Sequence, residues 1–162
     1  MKTISGSLIG TGLRCAVAAS RRFELISERL LEDAVGALTR HGVRHSDIEV
    51  YRTPGIWELP LAVHELALSG RYDAIVAVGA VIGGDRGAEK IYDEVVGGLS
   101  RISLEQRVPV GLGLLCCASL EGAAASSGGG SGCRGSEAAA DAVETASLLT
   151  RTRAQAKGEN DE

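Results

Sequence analysis

The sequence predicts a three-layer α/β/α sandwich on a four-stranded parallel sheet, and three observations predict it. Short apolar runs and helix-period stripes alternate four times along the chain. One of those runs, Ala74 to Val78, is apolar at every position, as a central parallel strand covered on both faces requires. At 162 residues the chain is long enough for one core and too short for two ordinary ones.

The elements follow in order. Arg14 to Ala19 is short and apolar, and Ser20 follows it as a natural helix cap. Ile26, Leu30, Ala34 and Leu38 then recur every four residues, with Leu31 and Val35 widening the stripe, and Gly42 closes that helix. Ile48 to Arg52 is the second strand. Thr53-Pro54-Gly55 turns the chain, and Pro60 sits in the first turn of a helix that stops at Gly70. After Ala74–Val78 comes a glycine-rich loop with Gly79, Gly83, Gly84 and Gly87, enclosing Asp85 and Arg86. Ile91, Val95, Leu99 and Ile102 mark a third amphipathic helix, and Val110 to Cys116 a fourth strand. Ala118 to Ser127 reads as a short, weak helix, Gly128 to Gly135 as a flexible joint. Ser136 caps a last helix through Ala139, Val143, Ala146 and Leu149. The chain thus divides into one domain, 1–153, and a polar tail, 154–162. Right-handed crossovers make a flavodoxin-like strand order the natural arrangement. Ligands then bind outside the carboxyl ends of the strands, here 20–23, 53–58, 79–89 and 116–119.

Composition removes several classes of function. The formal charge is −4 and no basic face emerges, which argues against nucleic acid. No run reaches the ~18 apolar residues of a membrane helix, and the first twelve residues lack the apolar core of a secretory signal. Cys15, Cys116, Cys117 and Cys133 form no zinc-type spacing. Cys15 and Cys116 lie in apolar strand-like runs and are expected buried, Cys133 in an exposed loop. The four read as free thiols of a cytoplasmic protein.

At the strand ends, the loop 79–89 precedes a helix, so its amides and the helix dipole suit an anion. It lacks both the Gly-Lys-Ser/Thr of a P-loop and a dinucleotide fingerprint. Arg86 there suits a phosphate or carboxylate; alternatively Asp85 and Arg86 are solvated turn residues. Trp57 offers a flat wall and Glu58 an acceptor for the N–H groups of a heterocycle. Alternatively Trp57 packs in the core and Glu58 caps its own helix. His41, His45 and His64 all fall away from the strand ends.

A series of short motifs spans most of the chain. It runs through Gly12-Leu13-Arg14, Ala19-Ser20-Arg21 and Thr53-Pro54-Gly55-Ile56-Trp57-Glu58-Leu59-Pro60. It continues with Ser69-Gly70-Arg71-Tyr72-Asp73-Ala74, Gly79-Ala80-Val81-Ile82, Glu94-Val95, Gly98-Leu99, Ser103-Leu104-Glu105, Val108-Pro109-Val110, and Gly135 with Glu137-Ala138-Ala139. In these the sequence resembles the lumazine synthase family of riboflavin biosynthesis. The resemblance implies a transferase that joins 5-amino-6-ribitylaminouracil to 3,4-dihydroxy-2-butanone 4-phosphate, releasing phosphate and water, without cofactor or metal. It also implies a homo-oligomer, either a pentamer or a shell of 60 subunits. By position, Ile56, Trp57, Glu58, Ala80, Val81 and Ile82 would line the ribityl-pyrimidine pocket. The aromatic that stacks on the pyrimidine aligns with Arg22, beside Phe23, and a second pocket aromatic aligns with Leu112. The family's acid–base His falls at Ala88, with Glu89 next to it as the remaining titratable group. Its phosphate-binding positions correspond to Asp85, Arg86, Ser126 and Arg134. These departures leave a second reading open: a non-catalytic or repurposed paralogue serving as an oligomeric shell, a scaffold or a ribityl-pyrimidine binder.

Overall fold

Residues 1–84, 86–127 and 133–158 are described by the computed structural model, the side chains of 157 and 158 excepted. Strands β1 (Cys15–Ser20), β2 (Ile48–Thr53), β3 (Ala74–Ile82) and β4 (Val110–Cys117) form one parallel sheet in the order β2-β1-β3-β4. Helices α1 (Glu24–Arg40) and α5 (Arg134–Gly158), with the short α4 (Leu120–Ser126), lie on one face. Helices α2 (Leu59–Leu68) and α3 (Arg86–Gln106) lie on the other. The architecture is therefore the flavodoxin-like three-layer sandwich that the alternation of elements predicts.

The pleat divides the core in two. Cys15, Val17 and Ala19 of β1 face Leu30, Leu38 and Val143, whereas Ala16 and Ala18 face Leu59, Val63 and Leu99. A strand buried on both faces needs an apolar residue at every position, and β1 and β3 supply one almost throughout. Helix α1 closes as its sequence predicts. Gly42 adopts φ 93, and the N–H groups of Gly42 and Val43 donate to Thr39 O and Leu38 O, both at 3.0 Å.

Several local expectations are corrected. Ser20 is no cap: it ends β1 opposite Thr53 and is fully buried. The chain instead turns through Phe23 before α1 begins. Strand β3 does not stop at Val78 but continues to Ile82, so Gly79 belongs to the strand. An added Cβ at Gly79 would lie 2.7 Å from Ser20 Cβ and 2.9 Å from Ile56 Cγ2, which is why a side chain is missing there. Ser136 is no cap either. Helix α5 begins at Arg134, and Ser136 Oγ donates to Asp33 O at 3.3 Å, fastening α5 to α1. That helix runs on past Arg153 to Gly158. Asp85, residues 128–132 of the glycine-rich joint and residues 159–162 lie outside the described residues.

Two thiols exchange their expected environments. Cys15 is buried as predicted, but Cys116 is exposed and Cys133 is buried. Cys116 stands near the end of the edge strand β4. Cys133 is packed where α5 meets α1, and its Sγ–H donates to Asp33 Oδ2 at 2.7 Å. Strand composition predicts burial only where a helix covers the strand, and that is a tertiary fact.

Candidate active site

A cavity of about 180 Å³ opens at the carboxyl ends of the three strands β2, β1 and β3. The β1–α1 turn contributes Arg22 and Phe23, and the β2–α2 turn Gly55, Ile56, Trp57 and Glu58. The end of β3 adds Ala80, Val81 and Ile82, and α3 adds Ile91. The two turns are fastened together. Arg21 N–H donates to Thr53 O and Thr53 Oγ donates to Gly55 O, each at 2.8 Å. Gly55 N–H donates to Glu58 Oε2 at 2.9 Å, leaving Glu58 Oε1 without a partner among the described residues.

The β3 wall has a backbone reason. Its ladder with β1 ends at Val78, whereas its ladder with β4 continues to Ile82. From Ala80 to Ile82 one edge of β3 therefore has no strand beside it, and its peptide groups are available to a ligand. Phe23 holds a left-handed backbone, φ 55 and ψ 54, a conformation costing a bulky residue about 1–2 kcal/mol. Hydrogen bonds offset that cost: Phe23 O accepts from the N–H groups of Ile26 and Ser27, and Ser27 Oγ donates to Arg22 O at 2.8 Å.

This geometry decides between the readings of Trp57 and Glu58. Trp57 is 62% exposed, so it is no core residue and stands as a wall at the cavity mouth. Glu58 does bond to its own turn, and it lines the cavity as well.

A second, wider hollow of about 490 Å³ lies over β4. Leu114, Leu115, Cys116 and Cys117 form its floor, with Tyr92 of α3, Ser126 of α4 and Arg134 of α5 around it. Two positions predicted for an anion, Ser126 and Arg134, thus come together. The Arg134 guanidinium has no ion pair or side-chain hydrogen bond among the described residues. Desolvation, then the carboxylates of Glu89 and Asp93 with Cys117, push the Cys116 thiol above its usual range, which places both carboxylates within electrostatic reach of this hollow.

The other predicted residues remain apart. Arg86 is exposed on the first turn of α3, and Glu89 is exposed beside the buried Ala88; neither Arg86 nor Glu89 lines either cavity. Leu112 is 38% exposed on β4 and also lines neither. His41, His45 and His64 stay outside both. Lining residues that the sequence did not single out are Ile91, Tyr92, Leu114 and Leu115, while Gly55, Cys116 and Cys117 fell within the predicted strand ends without a role of their own. Ile91 carried a signal: it lies on the apolar stripe of α3 but one turn before the stretch that covers the sheet.

Chemically, the first cavity is an apolar slot with one carboxylate and one cation, fit for a flat heterocycle bearing N–H and carbonyl groups. The second, with a free guanidinium and a hydroxyl, is fit for a small anion.

A family model described as 6,7-dimethyl-8-ribityllumazine synthase matches residues 12–150. The chain is 44% identical over 150 residues to a protein of that name from Anaeromyxobacter dehalogenans strain 2CP-C, covering 92% of this chain and 93% of the relative. It is 44% identical to one from Anaeromyxobacter sp. strain Fw109-5, covering 92% of each, and 43% identical to one from strain K, with 92% and 93% covered.

Proposed function

The chain belongs to the 6,7-dimethyl-8-ribityllumazine synthase family, and from that premise we propose that it catalyses the family's condensation in riboflavin biosynthesis. In that reaction the ring amine of 5-amino-6-ribitylaminouracil adds to the ketone of 3,4-dihydroxy-2-butanone 4-phosphate and water is lost. Phosphate leaves, and water is lost again as the second ring closes. The observation that carries the reading is convergence: Arg22, Phe23, Ile56, Trp57, Glu58, Ala80, Val81 and Ile82, distant in sequence, line one cavity.

The pyrimidine lies along Trp57, with Glu58 Oε1 accepting a ring N–H and the open edge of β3 meeting its polar groups. Holding amine and ketone side by side supplies much of the acceleration, because association is paid for by binding rather than in the reaction step. A positioned acid–base adds about 10² to 10⁴, and with Ala88 at the family's His position, Glu89 takes that role. Arg134 and Ser126 hold the phosphate. They stand in a different cavity of the same subunit, so a homo-oligomer that sets one copy's Arg134 hollow against its neighbour's ring cavity completes the site. We take that oligomer to be a ring of five, either alone or closed into a shell. Four free thiols agree with a reducing, cytoplasmic setting, and no described helix is long and apolar enough to cross a membrane.

The test is to mix the purified protein with both substrates and follow lumazine absorbance, with the mass measured by light scattering. Turnover above the spontaneous rate and an oligomeric mass support the proposal; a monomer would remove the shared site. A second reading, a scaffold without turnover, is favoured by Ala88 and by the outward position of Arg86. Normal assembly with no rate above background selects it.

A further inference from the structure

Among the described residues, Arg22 and Glu58 are the charged side chains that line the ring cavity. Both reach the same point of the β2–α2 turn. A Cβ added to Gly55 would lie 3.2 Å from Glu58 Oε2, 3.8 Å from Arg22 Nε and 3.9 Å from Arg22 Cζ. They are nevertheless unpaired, because Glu58 Oε2 is engaged by Gly55 N–H and no ion pair within 4 Å joins it to Arg22. The Arg22 guanidinium has no side-chain partner among the described residues, and the residue is exposed at the cavity rim. Here a planar cation stands where the family's resemblance implies an apolar ring, and the two surfaces differ in what they reward. A phenyl face binds neutral and ionised heterocycles with little preference. A guanidinium stacks equally well, but it also presents a forked set of N–H donors and a full positive charge.

Resting on the reading of this cavity as the heterocycle site, we propose that Arg22 makes it selective for the deprotonated, anionic form of its ring ligand. A neutral ring carbonyl receives an ordinary hydrogen bond from Arg22. An ionised ring receives a charge-assisted one, roughly twice as strong. Ile56, Trp57, Val81 and Ile91 exclude part of the water that would screen the difference. Other charges around the cavity are Arg21 and Glu24 beside Arg22, and Arg86, Glu89 and Lys90 on the first turns of α3. All five are exposed and line no part of it. Glu58 works against the effect, which holds the net preference to the low end of what one adjacent cation produces, about one unit of ligand ionisation.

The probe is 6,7-dimethyl-8-ribityllumazine, whose absorption reports whether its conjugated ring has lost a proton. It is titrated against pH free and bound to the full chain, to Arg22→Leu and to Arg22→Lys. The bound ligand is expected to ionise about one pH unit below the free ligand, so that the anion binds about tenfold more tightly than the neutral form. Arg22→Leu should bind the probe and lose the shift, whereas Arg22→Lys keeps most of it. Folding is not at issue, since the Arg22 side chain bonds to nothing among the described residues and its carbonyl keeps the Ser27 hydroxyl. Binding without a shift, or an equal shift in Arg22→Leu, overturns the role of Arg22 and leaves the proposed function standing. No binding by the wild-type chain at any pH overturns both.

Discussion

The ring cavity stands over β1 and β3 in the middle of the sheet, whereas the Arg134 hollow stands over β4 at its edge. Around the first, two strand-to-helix turns are fastened to each other by backbone and side-chain hydrogen bonds. Around the second, Ser126 and Arg134 come from α4 and α5, on either side of the stretch 128–132. The contrast shows where the architecture constrains chemistry most tightly. A site over central strands inherits its positions from the sheet, so eight predicted residues converge there, Arg22 among them. A site over an edge strand depends on what packs against that edge, and there one subunit assembles only part of the predicted anion set.

The largest expected effect tests whether the two cavities serve one reaction. Glu89 lies near the Arg134 hollow by its influence on Cys116 but lines neither cavity. Glu89→Gln should lower turnover by about 10²-fold or more while leaving lumazine binding unchanged, measured by single-turnover absorbance against equilibrium titration. An unchanged rate would separate the Arg134 hollow from proton transfer.

Next comes the anion. Arg134→Ala should raise KM for the phosphorylated ketone by about tenfold to 150-fold, the equivalent of one charged hydrogen bond of about 1.5–3 kcal/mol. Arg86→Ala should change it by less than about twofold, since Arg86 is exposed and lines neither cavity. The opposite ranking in steady-state kinetics would move the anion site to the start of α3.

The smallest effect compares the thiols at the two ends of the sheet, Cys15 at the start of β1 and Cys116 at the end of β4. A maleimide should label Cys116 before Cys15 and Cys133, and mass spectrometry of the native protein reads the order. Cys15, at the start of β1 and so at the far end of that strand from the ring cavity, has its thiol pushed by burial, and then by Asp73 and Asp47, from the ordinary 9.0 to about 12. The folded state therefore holds a proton that the unfolded chain has released between those values. Stability is fully present below pH 9 and is lost as pH rises towards 12, by about 1.4 kcal/mol at pH 10. Cys15→Ala should flatten that alkaline limb in urea melts; a limb of unchanged slope would place the titrating group elsewhere.

Local sequence determined the strands, the helices and their order. An apolar run such as Ala74–Val78 and a stripe such as Ile91-Val95-Leu99-Ile102 encode their element through side-chain period alone. Gly42 encoded a helix end through its left-handed backbone. The turn around Trp57-Glu58 was legible as part of a strand-end site, because a strand-to-helix turn in a parallel sheet points to the carboxyl edge, but whether Trp57 faced the cavity or the core was not. Period does not say what covers a face. Cys116 is exposed because it lies on the floor of the open hollow at the end of the edge strand, and Cys133 is buried because α5 packs its first turn onto α1. Ser20 ended a strand instead of capping a helix because Thr53 was there to pair with it. Tertiary structure alone decided that Arg22 would meet Glu58 over Gly55 and that Arg86 would face outward. Those outcomes depend on distances between turns that lie far apart in the chain, set by the twist and register of the sheet.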